Sequence, residues 1–165
     1  MSPAQAALAV VATLAGLWDL RSRRIPNWVT IPGLIAGFAL IPPLEAAKGA
    51  GLSLLIYLPL YLLRAAGGGD LKLMAAVGAL TGPTAWMVIF VLSAILGGIA
   101  AITLAIAKGR LRATLQNVGH IFRSGATLQS PLKDRPDLDI DNEQALTLPR
   151  GAIIAVSVWL YLAAV

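Results

Sequence analysis

Almost the whole of this 165-residue chain consists of uncharged apolar runs, each about 13 to 25 residues long, parted by short polar or glycine-proline stretches. That repetition leaves few folds open. A helix satisfies its backbone groups internally, so it is the form in which such runs cross a bilayer. Hydrophobic residues make up 58% of the chain and charged residues 13%, about half the charge density of an ordinary soluble domain. The expected class is therefore an all-α, polytopic membrane protein with about six transmembrane helices, residues 1–165 forming a single membrane-embedded domain with the lipid bilayer as its solvent. With no cysteine, disulfide frameworks, thiol nucleophiles and zinc-cysteine sites are excluded, and the single histidine, His120, cannot build a multi-histidine metal site. No metal and no cofactor are expected. The net charge of +5 does not imply nucleic acid, because in such a chain basic residues mark the cytoplasmic side.

Taken in order, the apolar runs predict helices over 3–18, 28–44, 51–63, 71–82, 84–107 and 153–165. Arg21, Arg23 and Arg24 follow the first run instead of preceding it, which argues for a retained helix over a signal peptide and puts the N-terminus outside. Ile25-Pro26-Asn27 restarts the chain, with Asn27 a suitable cap for a helix beginning at Trp28. Pro42-Pro43 should end the second helix, leaving 45–50 as a short outer connection that carries Lys48. Gly82-Pro83 should end the short fourth helix, and Gly97-Gly98 offers the fifth a point of close approach to a neighbour. The long polar stretch, 108–147, is expected to be a cytoplasmic loop. Leu111, Leu115, Val118 and Phe122 recur there at the spacing of an amphipathic helix, ahead of an acidic loop from Asp134 to Glu143 that lacks the glycine turn and distal glutamate of a calcium loop. Every lysine and arginine except Lys48 then falls on the cytoplasmic side, which orients the whole chain.

Of the eight acidic residues, five lie in that loop and Glu45 lies in the outer connection, leaving Asp19 and Asp70. Both stand at helix ends on the cytoplasmic boundary, where a carboxylate is costly unless it serves a purpose. Each has a structural explanation. Asp70 follows Gly67-Gly68-Gly69 and could simply cap the helix it opens, while Asp19 could pair with the arginines of its own loop. Together they allow a reaction. Two carboxyl groups sharing a water do not both ionise, so one can take a proton from water while the other donates to a carbonyl oxygen, which is aspartic proteolysis.

Asp19 followed by Arg23-Arg24-Ile25-Pro26-Asn27, and later Gly67-Gly68-Gly69-Asp70-Leu71-Lys72, resemble the two signature regions of the type IV prepilin leader peptidases, membrane aspartic peptidases with a Gly-x-Gly-Asp motif. The resemblance extends to Pro149 and Gly151 before the last helix. It implies that Asp19 and Asp70 are the catalytic pair, that Gly67, Gly69, Lys72, Pro26 and Asn27 support the motifs, and that no cofactor is needed. It implies as substrate a type IV pilin-like precursor whose short basic leader is cut at the cytoplasmic face of the cell's inner membrane. Many members also carry a cysteine-bearing insert and methylate their product, whereas this chain starts directly with its first helix. It therefore resembles the short, peptidase-only branch, similar to enzymes serving Flp-type or tight-adherence pili and to archaeal preflagellin peptidases.

Two further expectations complete the reading. The three glycines should provide either unusual backbone angles or a close approach of another segment to Asp70. Lys72, about 200° around the helix from Asp70, should face away from the pair as a phosphate-facing anchor or tune Asp70 electrostatically. The rival functions are an ion-coupled transporter and a structural subunit of a secretion assembly. Transporter carboxylates commonly lie at the bilayer midplane between repeated halves, whereas Asp19 and Asp70 lie at one edge of a chain without a visible repeat.

Overall fold

The computed structural model describes residues 1–62, 66–107 and 149–165. Residues 108–147, with their expected amphipathic helix, acidic loop and cytoplasmic position, lie outside the described residues. The described chain is helical and contains no strand: α1 Pro3–Ser22, α2 Asn27–Leu40, α3 Pro43–Leu62, α4 Gly68–Ala107 and α5 Arg150–Ala164.

Local sequence explains most of these limits. Pro3 sits at the start of α1 behind Ser2, whose hydroxyl and backbone form a reciprocal capping box with Gln5. Arg23 closes α1 in a left-handed conformation, φ 51°, its N–H bonded to the Asp19 carbonyl at 2.8 Å. The extended backbone at Pro26 then launches α2. Pro43 opens α3 instead of merely ending α2, since its fixed φ and missing N–H suit a first helical turn. Residues 45–50, expected to be an outer connection, are thus the first turns of α3, where Glu45 and Lys48 make an exposed ion pair at 2.8 Å.

The 40 residues of α4 are two limbs divided at Gly82, which adopts φ 73° and ψ 175° ahead of Pro83. The indole N–H of Trp86, beyond the break, donates to the Met74 carbonyl at 3.1 Å. In one straight helix those residues would stand about 18 Å apart along the axis, too far for a side chain to span. The second limb therefore folds back on the first. The bond from Trp86 to Met74 ties the two limbs together, and within the second limb the fully buried Trp86 stacks on Phe90 at 5.3 Å. This is the division expected at Gly82-Pro83.

Alanine and glycine fill much of the interior, with Ala12, Ala15, Ala46, Ala76 and Ala79 buried, while Leu17, Ile35, Leu55, Ile99 and many other large apolar side chains face outward. Small residues inside and large ones outside suit helices packed in lipid, where close backbone contact holds helices together. The tightest seam joins α3 to the first limb of α4: a Cβ on Gly49 would land on the Gly78 carbonyl, and one on Gly78 would land on the Gly49 carbonyl. α1 packs on α5, and both α2 and α5 pack on α4.

Six helical segments exist if the limbs of α4 are counted separately, but six crossings do not follow. α1 and the 68–104 stretch of α4 are long and apolar enough to cross a membrane, whereas α2 and α5, of 14 and 15 residues, fall short. At 1.5 Å per residue, α2 rises only about 21 Å against a hydrocarbon core of about 30 Å.

Candidate active site

Asp19 lies in the last turn of α1 and Asp70 in the first turn of α4, far apart in sequence, and both are buried. The start of α5 reaches both. The Gly151 N–H donates to Asp19 Oδ2 at 2.8 Å in a buried hydrogen bond, and the Arg150 guanidinium stands 3.9 Å from Asp70 Oδ2. Two consecutive residues of one helix thus touch both carboxylates. At 3.9 Å and half exposed, the Arg150 contact is a weak ion pair, while the buried bond to Asp19 is the stronger hold.

Asp70 is not the capping residue itself. It stands three residues after Gly67 and reaches back to the Gly67 N–H at 3.3 Å, the reciprocal half of a capping box. The helix-terminal role weighed from sequence is therefore present, and it orients the carboxylate without removing it from the site.

None of the three glycines has an unusual angle, since among the described residues Gly82 is the glycine with positive φ, and space is what the motif needs at Gly69. At Gly69 a Cβ would lie 3.1 Å from the Ile25 Cβ and 3.4 Å from the Ile25 nitrogen, so the linker between α1 and α2 presses directly on the motif. Gly67 has ordinary clearance, 3.5 Å from Asp70 Oδ2, and Gly68 faces the Tyr61 ring at 3.3 Å. Ile25 also reaches Gly151, with its Cδ1 3.0 Å from where a Cβ would be. One isoleucine side chain of the first signature region therefore packs against both the second region and α5.

Pro26 is the cap position of α2, and Asn27 is its first helical residue instead of the expected cap. The side chain of Asn27 accepts a hydrogen bond from Lys72 Nζ at 3.0 Å, joining the two signature regions at the exposed edge of the site. The partner that Lys72 finds is thus an asparagine 45 residues earlier in the chain. At that edge Trp18 and Trp28, both about half exposed, meet edge to face at 5.3 Å.

A cleft of about 350 Å³ opens beside Asp70, between α3, the second limb of α4 and α5. Tyr57, Phe90, Ile153 and Ile154 form its apolar walls, with Asp70 and Arg150 contributing charge. Gly97 and Gly98 also line it, and among the described residues a Cβ on either would meet nothing within 4 Å. These two glycines, expected to mark a helix contact, instead keep a space open.

Arg150 and the role of Gly151 escaped the sequence reading. The available sign was Pro149-Arg150-Gly151, a helix start carrying a cation and a residue without a side chain, but nothing local connects it to a carboxylate 132 residues away.

Searches among curated proteins and among solved structures return no match. The model of the type IV leader peptidase family matches residues 6–102, a stretch that contains Asp19, the Arg23 to Asn27 linker and the whole Gly67 to Lys72 motif. The family and the two long apolar helices together point to a membrane protein. With more than half of its length matched, this chain belongs to the type IV leader peptidase family, and is a peptidase by that membership.

Proposed function

We propose that the protein is an aspartic endopeptidase of the cell's inner membrane that removes short basic leaders from type IV pilin-like precursors at the cytoplasmic face, with Asp19 and Asp70 as its catalytic pair. The observation that carries this reading is the contact of both buried carboxylates with the consecutive residues Arg150 and Gly151. In the reaction the ionised carboxylate takes a proton from water as the water oxygen bonds to the scissile carbonyl carbon. The protonated carboxyl group donates to the carbonyl oxygen. Collapse of the tetrahedral species breaks the C–N bond, and the leaving nitrogen takes up a proton. The apolar cleft beside Asp70 supplies a place for the apolar stretch that follows the cut in such precursors, and a bond at the edge of that stretch would meet carboxylates at the edge of the helices.

The test is cleavage of a pilin-like precursor with a short basic leader by the parent and by Asp19→Asn and Asp70→Asn at equal membrane abundance. Each variant keeps the side-chain shape but loses the titratable group, and each should lose a factor of about 10² to 10⁴ in rate. Parent-like cleavage by either variant would remove that residue from the pair, and parent-like cleavage by both would remove the mechanism.

A further inference from the structure

The first two residues of α5 touch both carboxylates yet lie outside residues 6–102, the stretch that carries the family match. Gly151 is the second residue of α5, where a backbone N–H has no acceptor within its helix and the positive end of the helix dipole faces outward. Its N–H is used on Asp19 Oδ2. A Cβ at this position would lie 2.9 Å from the Asp19 Cβ, 3.1 Å from its Cγ and 3.0 Å from the Ile25 Cδ1. Either Asp19 or the start of α5 would then have to shift. One residue earlier, Arg150 brings a positive charge to the other carboxylate. The groups that face Asp70 are thus Arg150 from α5, Asp19 from α1, Tyr57 from α3 and the Gly67 N–H of its own turn.

We propose, building on the leader-peptidase reading above, that Arg150-Gly151 is a positioning turn for the pair: Gly151 fixes where the Asp19 carboxylate stands, and Arg150 sets the charge balance around Asp70. Neither residue takes or gives a proton in the reaction above; each acts through the carboxylate it touches. Gly151 acts through geometry, because an error of about 1 Å in a reacting group can cost about 10² in rate. Arg150 acts through charge, because a nearby cation favours the ionised form of a carboxyl group. The register of α5 then determines whether two carboxylates from α1 and α4 work as one unit.

The experiment uses the full chain in detergent, comparing the parent with Gly151→Ala, Arg150→Gln and Arg150→Lys. Gly151→Ala should lower kcat by about 10-fold to 10²-fold, with a much smaller change in KM. Arg150→Gln should move the pH–rate profile by about half a unit toward higher pH, and Arg150→Lys should restore the parent profile. Labelling of Asp70 by a water-soluble carbodiimide, which reacts with the protonated carboxyl and is read by mass spectrometry, should shift with pH in the same direction and requires no substrate. Superimposable pH profiles and labelling curves for the parent and Arg150→Gln would overturn the role of Arg150. Parent-like kcat for Gly151→Ala would overturn that of Gly151. If Gly151→Ala fails to insert, Gly151→Ala combined with Ile25→Val, which removes the Cδ1 that crowds position 151, is compared with Ile25→Val alone and read for the same loss of kcat. A parent that cleaves, with variants that do not differ from it, removes the positioning turn and leaves the leader-peptidase reading intact. A labelling shift in a parent that cleaves no leader removes that reading and leaves the coupling of Arg150 to Asp70 standing.

Discussion

Two pairs of glycines in this molecule have opposite surroundings. Gly49 and Gly78 bring the backbones of α3 and α4 together so closely that neither has room for a methyl group, whereas Gly97 and Gly98, further along α4, border a cleft where a Cβ would meet nothing within 4 Å among the described residues. The residue type is the same in both places. What differs is the opposing surface: at the first seam another glycine is in register, and at the second the glycines share a cleft with larger residues such as Tyr57, Ile153 and Ile154. A small residue permits close packing between membrane helices, but contact follows only when the partner is small too. The molecule uses the first arrangement to hold itself together and the second to leave space beside Asp70.

Substitutions that add volume should separate the two seams. The largest effect is expected at the closed one. Gly78→Val places branched carbons against the Gly49 carbonyl and should destabilise the fold by about 3 kcal/mol, the upper range for overpacking, read as a lower midpoint of thermal unfolding in detergent. Cleavage should fall with the folded fraction. Gly97→Leu should leave that midpoint within about 0.5 kcal/mol of the parent, as expected for a change away from packed features, yet reduce precursor cleavage by filling the cleft. A strong loss of stability in Gly97→Leu, or none in Gly78→Val, would break the contrast between the seams.

The same reasoning explains what could be read from the sequence. The helical class, the break at Gly82-Pro83 and the two isolated carboxylates were legible because each depends on local chemistry: apolar continuity, a glycine followed by proline, and the position of Asp19 and Asp70 at helix ends. The start of α3 was misplaced because Pro42-Pro43 can either end one helix or open another, and only the packing of Gly49 on Gly78 favours the longer α3. Gly97-Gly98 offers a point of close approach by residue type, but among the described residues nothing takes it, because the sequence carries no information about the facing surface. Asn27 matched a capping residue by type, but the cap position falls on Pro26 and the Asn27 side chain bonds Lys72 instead. The turn at Arg150-Gly151 was the least legible part of the site, since its meaning lies wholly in contacts across the fold.

The central claim is that Asp19 and Asp70 act as one unit, and residues that act as a unit give losses that do not add. The decisive measurement is the rate of cleavage of one leader-bearing precursor by Asp19→Asn, Asp70→Asn and the variant carrying both changes. If the carboxylates work together, removing the second after the first should cost almost nothing more, and all three residual rates should agree within a small factor. Losses that multiply, with the double variant slower by the product of the two single effects, would mean that the carboxylates contribute independently and would contradict the account.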